Sequence, residues 1–358
     1  MEYNNKIIQL TEKWRAFHND KTPGQMMVTV CPYTFNLDYK EWGIKDRPFS
    51  SWDFEKDGEE YALRAKKMNE IFVKYTKDLD NDYVPAVGIN MGYGVHSAYY
   101  TGAEVIFGEE TSWTHPVLDD LADMKKFVMD ANNPWYQRIL EITCLYAKYQ
   151  EGDYYIHGFS NAGPGDMANA IRGNDLFVDL FDEPELVKAF MDQCVEPVIW
   201  LEESIKKITG YVNGGSVTAN CWFCGDAPYI SMDFDDLCSA RQFREFGSHS
   251  TQRLLDHFKG GFMHHHMKGY HIHSDLAKLN HLKLLEISWD PNLTKPIEFL
   301  DELWDMHGNL PLMVRCTAAD VYKHIEKLKK GRAVIMLNID SLDEGREVIR
   351  FIRSHSKN

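Results

Sequence analysis

No stretch of this chain approaches the ~18 consecutive apolar residues that a membrane-crossing helix needs. The first residues, Met1-Glu2-Tyr3-Asn4-Asn5-Lys6, also lack the basic-then-apolar order of a secretory signal. Cytoplasmic residence with no membrane partner is the expectation. Basic charge is in short supply: 39 Lys and Arg against 54 Asp and Glu leave a net charge of −15. Polyphosphates bind to a basic stripe, so no nucleic-acid partner is expected. The densest basic stretch, Lys327, Lys329, Lys330 and Arg332, lies between a helical and a strand pattern and reads as a solvated helix end. Cysteines are few, scattered and odd in number: Cys31, Cys144, Cys194, Cys221, Cys224, Cys238 and Cys316. That is no disulfide framework, and reduced thiols follow. Cys221 and Cys224 have redox-motif spacing without a thioredoxin-like setting. The turn Gly163-Pro164-Gly165-Asp166 is followed by no Gly-Lys-Ser/Thr, so it is not a nucleotide loop. It opens a helix whose free amides suit an anion, with Asp166 as a substrate contact.

Strand-like runs alternate with amphipathic helical ones. The strands expected are Met26–Cys31, Tyr83–Asn90, Asp153–Phe159, Gly215–Trp222, Gly261–His266, Lys283–Trp289, Leu310–Cys316 and Arg332–Asn338. Helical patterns fall between them, at Glu59–Leu79, Leu118–Tyr149, Pro184–Thr209, Ala240–Phe258, Ser274–Leu279, Pro296–His307 and Ala319–Leu328. Eight alternating units imply a parallel sheet closed into a (β/α)8 barrel, with an open doubly wound sheet as the competing arrangement. One domain spanning 1–358 is expected, preceded by a helical extension over 1–25, because no repeat or low-complexity linker divides the chain.

Barrels place their chemistry at the carboxyl ends of the strands. Those ends carry Cys31 with Tyr33, Asn90, His157 with Phe159, Asn220 with Cys221, His266, Trp289, Cys316 and Asn338. The densest feature is Met263-His264-His265-His266-Met267-Lys268-Gly269-Tyr270-His271-Ile272-His273. On a strand, His264 and His266 share a face and His265 points away. Two imidazoles on one face suit zinc, with Cys316 and Cys221 as further ligands from neighbouring strand ends. The competing reading is a metal-free site in which the histidines and Lys268 hold an organic acid. Asp233, in Ser231-Met232-Asp233-Phe234-Asp235-Asp236, is either a helix cap or an acid, base or anchor reaching into the mouth. The aromatic segment Tyr33, Phe35, Tyr39, Trp42, Phe49, Trp52 and Phe54 would cover a bound substrate or form the interface of a homodimer. Phe159 and Trp289 are further candidate substrate contacts.

At these residues the chain resembles the uroporphyrinogen decarboxylase superfamily, which includes methylcobamide:thiol methyltransferases. Gly158-Phe159-Ser160 through Ile171-Arg172-Gly173 and then Asp179-Leu180-Phe181-Asp182-Glu183-Pro184-Glu185-Leu186 are similar to the family's glycine-proline turn, helix and D-x-P-E-L stretch. Gly102-Ala103-Glu104-Val105 resembles its G-x-E-V hairpin. Ser239-Ala240-Arg241-Gln242-Phe243-Arg244-Glu245-Phe246 resembles S-P-x-x-F-x-E-F, with Ala240 in place of proline. The likeness runs from about residue 60 through most of the chain.

The departures separate the two branches. The decarboxylase's arginine-rich segment corresponds to Cys31-Pro32-Tyr33-Thr34-Phe35-Asn36, without arginine. Its catalytic aspartate appears as Asn90, its tyrosine falls at Asn169 or Ala170, and its last-strand histidine is missing from Met336-Leu337-Asn338-Ile339. Without these groups an octacarboxylate would be poorly held and its protonation unassisted. The methyltransferase branch carries H-x-C-G after the fifth strand and a late cysteine. Here His266 and Gly269 match, Lys268 stands at the cysteine, and Cys316 lies one strand from the late position, near Asn338. The resemblance implies a zinc-dependent methyltransferase acting on a small molecule or with a corrinoid protein. Asp233, Asn90 and Lys268 would be its catalytic residues, and Asp233 or Glu286 would orient the metal ligands. The alternatives are a lyase acting on a small carboxylate and a non-catalytic binding barrel.

Overall fold

The computed structural model describes residues 2–30, 44 and 47–357. Cys31, Tyr33 and Phe35 lie outside them, as do Tyr39 and Trp42. Seven strands form one wholly parallel sheet: β1 (Met26–Val30), β2 (Ser160–Ala162), β3 (Tyr229–Ser231), β4 (Gly261–His266), β5 (Leu282–Ser288), β6 (Leu312–Thr317) and β7 (Ala333–Asn338). Their order is β1-β7-β6-β5-β4-β3-β2. Helices join successive strands along most of this order, as parallel pairing demands.

The hydrogen-bonded ladder of these seven strands is not closed, so they show a large parallel α/β sheet that stops short of the closed eight-stranded barrel expected from the sequence. Two of the expected strands shrink to the separate parallel pair Ala86–Val87 and Tyr155–Ile156. The run Gly215–Trp222 is no sheet strand either. Ala219 and Asn220 adopt φ of 49° and 57°, which makes a two-residue hairpin between Gly215–Thr218 and Cys221–Cys224. The sheet position that run was expected to fill is taken by Tyr229–Ser231 instead.

The two faces of the sheet have different partners. On one face Val28, Val314, Cys316, Ile335 and Leu337 are buried with residues of the helices Leu300–His307, Ala318–Leu328 and Leu342–His355. On the other face Met27, Phe262, Leu284, Met313 and Val334 meet Trp14, Phe17, Trp222 and Phe223. Trp14 and Phe17 come from the amino-terminal helix Asn5–Asn19, which begins at Asn4, whose Oδ1 accepts from Ile7 N at 3.0 Å. Trp14 is fully buried and donates from Nε1 to Asp82 O at 2.8 Å. This helix and the hairpin therefore plug the amino end of the inner face. Towards the carboxyl end the same face turns polar, with His264, Glu286 and Arg315. There a cavity of about 720 Å³ opens.

β6 passes directly into the next helix. Thr317 caps it by a reciprocal pair of bonds with Asp320, which fixes where the strand stops.

Candidate functional site

β4 carries the centre of the site. Side-chain alternation puts His264 and His266 on the inner face and His265 on the outer one. His264 Nδ1 donates to Glu286 Oε2 at 2.8 Å, and His266 Nδ1 donates to Asp290 Oδ1 at 3.1 Å. Glu286 sits opposite His264 in the β4–β5 register, and Asp290 follows the end of β5. With both Nδ1 atoms so engaged, both Nε2 atoms are turned towards each other, 3.2 Å apart. Two nitrogen lone pairs at that distance repel unless a proton or a cation lies between them.

The third member is Asp233, at the start of the short helix after β3. Its Oδ1 lies 3.6 Å from His266 Nε2, is buried, and accepts no hydrogen bond among the described residues. Among those residues Asp233, His264 and His266 are the group whose ligand atoms converge, all within 4.8 Å of one another.

These residues fit a zinc ion. Zn–N bonds of about 2.0–2.1 Å in a tetrahedron place two ligand nitrogens about 3.3–3.4 Å apart, close to the separation seen here. Each histidine has a carboxylate on its other nitrogen, the arrangement that fixes tautomer and ring orientation in zinc sites. Electrostatics agree. Burial opposes charge on His264, but the Glu286 carboxylate outweighs it and raises the imidazole's pKa. Burial likewise opposes the charge of Glu286, yet His264 and then Arg315 hold its carboxyl below the usual range.

His265 closes a separate network on the outer face. Its Nδ1 faces Asp236 Oδ1 at 3.1 Å, and its Nε2 faces His273 Nδ1 at 2.6 Å. His273 Nε2 in turn meets His307 Nε2 at 2.7 Å. Burial, and then the neighbouring histidines, push His273 far down, and burial takes His307 down to about 4. Asp236 Oδ2 accepts from His266 N at 2.6 Å, so this network holds the backbone of a candidate ligand. Gly269 must be glycine, because a Cβ there would overlap Asp236 Oδ1.

The other expected residues divide. Asn90 lines the cavity with His264 and Asp233, and its Oδ1 accepts from Gly92 N at 3.1 Å. Asp166 does not line it but supports Asp233 from behind: its Oδ1 accepts from Phe234 N at 2.6 Å. Burial, and then the charge of Asp233, raise Asp166 to about 7. Phe159 is buried behind the cavity, edge-on to His96 and Tyr99. Trp289 is exposed on the rim, with Nε1 donating to Leu293 O at 2.6 Å. Neither ring lines the cavity, so both expected substrate contacts fall outside it.

Three expected residues stand apart from the group of Asp233, His264 and His266. Lys268 is absent from the cavity lining and its side chain is largely exposed; it meets the site only through Asp290, to whose Oδ2 its backbone N–H donates at 2.9 Å and from whose Oδ1 its ammonium lies 3.9 Å. Cys316 does not stand with the histidines: it pairs with Leu337 in the β6–β7 register and is buried with Val314 and Ile335. Alternation then turns Cys316 to the helix-covered face and Arg315 to the cavity. Burial pushes the Cys316 thiol far up. Cys221 lies in the hairpin plug beneath the site, where its Sγ donates to Ala219 O at 3.3 Å, and burial keeps it protonated too.

Asp290 and Arg315 escaped the sequence reading. Asp290 stands just past the end of β5, before Pro291, where a strand-end carboxylate is a weak but real signal. Arg315 was hidden because its face is set by the pairing of β6 with β7, where it stands opposite Met336.

No protein-family model matches the chain, and no curated protein matches it. Among solved structures it is similar to a methyltransferase from Methanosarcina mazei, with a TM-score of 0.61 and 14% identity over 96% of this chain and 98% of that one. At that identity the likeness shows a shared fold along nearly the whole length of both chains.

Proposed function

We propose that this chain is a zinc-dependent methyltransferase of the uroporphyrinogen decarboxylase-like kind, exchanging a methyl group between a small thiol and a corrinoid carried on a partner protein. The observation that carries the reading is the convergence of His264 Nε2, His266 Nε2 and Asp233 Oδ1, with Glu286 and Asp290 behind the two rings. A zinc ion held there would lower the pKa of a thiol and keep it as the thiolate that captures a methyl group. The chain's own residues do the rest. Glu286 and Asp290 hold the imidazoles in the tautomer that presents Nε2, and Asp166 fixes the turn from which Asp233 reaches in. The plug formed by the amino-terminal helix and the hairpin closes the floor to water.

In this reading the sheet is a single-domain (β/α)8 barrel whose last seam is the pair Ala86–Val87 and Tyr155–Ile156. Asp82 N donates to Val28 O at 2.6 Å beside β1, and His157 N donates to Val87 O at 3.0 Å within that pair. The fold shared with the Methanosarcina mazei methyltransferase favours the same assignment. We place the protein in the cytoplasm, with homodimer formation as its mode of assembly.

A second reading, a lyase acting on a small carboxylate, is favoured by one observation: Arg315 lines the cavity beside His264. Metal content separates the two. Protein purified from zinc-supplemented cells and dialysed against a weak chelator should retain about one zinc per chain. Metal-free protein would transfer the case to the lyase.

A further inference from the structure

We infer that Arg315 is the anchor for a negative group on the substrate, so that the site takes a small acid whose reacting atom lies at the histidine pair. The inference deepens the proposed function and rests on it for the position of the reacting atom, though not for the anion site itself.

Arg315 is the sole Lys or Arg among the described residues that line the cavity. Its side chain projects from β6 into that space, 44% exposed, while its neighbours Val314 and Cys316 are buried on the opposite face. Only one edge of the guanidinium is engaged: Nε lies 3.4 Å from Glu286 Oε1. Glu286 gives its other oxygen to His264, so its single carboxylate is shared between a guanidinium and an imidazole. The two Nη groups make no hydrogen bond or ion pair among the described residues. They form a planar fork of donors, the geometry that pairs with a carboxylate or another compact oxyanion through two parallel bonds.

The rest of the pocket makes this placement specific. Asp233 and Glu110 are the carboxylates of the lining, and Asp233 stands at the histidine pair. An anionic group is therefore repelled from that end unless a cation occupies it, and attracted to the Arg315 end. Arg315 and His264 share Glu286, so the anion would sit one carboxylate's breadth from the metal ligands. A molecule with a few bonds between its reacting atom and its acid group spans that gap. Lys268, the basic residue nearest in sequence to the histidines, cannot substitute, because it is outside the cavity.

The test uses cobalt-loaded full-length protein and two probes of equal length, 3-mercaptopropionate and 3-mercaptopropan-1-ol. Thiolate-to-cobalt absorption reports binding of each. Wild type should bind the acid at least about tenfold more tightly, the equivalent of one charge-assisted contact of about 1.4 kcal/mol. The acid-to-alcohol ratio should fall to about one in Arg315→Met and take an intermediate value in Arg315→Lys, which keeps the charge without the fork. Equal affinity for the two probes in wild type, or a preference that survives in Arg315→Met, overturns the inference. Should neither probe give a thiolate band, the metal reading fails rather than this one, and calorimetry of metal-free protein with succinate decides. Saturable binding that is lost in Arg315→Met upholds the anion anchor; no binding to wild type removes it.

Discussion

His264 Nε2 and His266 Nε2 face each other across 3.2 Å, each ring held from behind by a different carboxylate, Glu286 for the first and Asp290 for the second. The two rings stand nearly perpendicular, at 86°, so their lone pairs converge on one point rather than running parallel. A proton between the two nitrogens would relieve their repulsion in a metal-free protein; against the effect of burial, the Glu286 carboxylate raises the pKa of His264. A divalent cation would take the same place.

His266→Ala removes one of the converging nitrogens and should lower zinc affinity by at least the roughly 10–100-fold seen for losses of outer partners. His265→Ala should leave zinc bound, since that ring points to the outer face. Zinc per chain after dialysis, measured where circular dichroism shows both variants folded, checks the pair. Equal loss in the two would refute the strand register on which the site depends.

Glu286→Gln keeps the size of the side chain but removes the charge that pulls on His264. Zinc affinity should fall by about 10–100-fold. In metal-free protein the same change should alter the pH profile of stability. The raised pKa of His264 makes a contribution that is complete below about 6.5 and disappears as pH rises through the folded value. The lowered pKa of Glu286 makes one present above about 4.5 and lost as pH falls through its folded value. Thermal melts of wild type should therefore peak between these limits, and the variant should lack that peak.

Asp166→Asn tests the buried acid behind Asp233. Its folded pKa of about 7 lies above the ordinary 3.8, so the native state binds the proton more tightly than the unfolded chain. Stability should fall as pH rises from about 4 to 7, where that proton is lost in turn from the unfolded and then the native state. Above pH 7 wild type carries an ionised buried carboxylate beside Asp233. The Asn variant should melt higher than wild type at pH 8 and show a flatter slope through the window. An unchanged slope would show that Asp166 is not the group responsible.

Cys316→Ser and Cys221→Ser should retain full zinc content, because neither thiol reaches the histidines. Cys316→Ser should still cost about 1–3 kcal/mol in denaturant unfolding, from a hydroxyl placed in an apolar layer. Zinc loss in either variant would restore the cysteine to the ligand set.

Uroporphyrinogen should not be decarboxylated at a rate comparable with an authentic enzyme. The position of the acid is taken by Asn90, whose amide lines the cavity but cannot ionise. Coproporphyrinogen formation by purified protein is the measurement.

Period-2 alternation within six residues sufficed to put His264 and His266 together and to send His265 away, because strand geometry is local. The same local rule located β4 over Gly261–His266 and came within two residues of the ends of β5, β6 and β7. It failed where one residue decides the face. Cys316 and Arg315 are adjacent on β6, and only the pairing with β7 turns Cys316 with Leu337 to the helices and Arg315 with Met336 to the cavity. It failed again at Ala219 and Asn220, whose positive φ values turn an apparent strand into a hairpin. Asp233 comes from the turn after β3, and Glu286 and Asp290 from β5 and its end; only the parallel register of β3, β4 and β5 brings their carboxylates to the two rings. A sequence records which side chains alternate along a strand, but pairing between strands depends on where each neighbour stops, and that is settled by caps and turns packed in three dimensions.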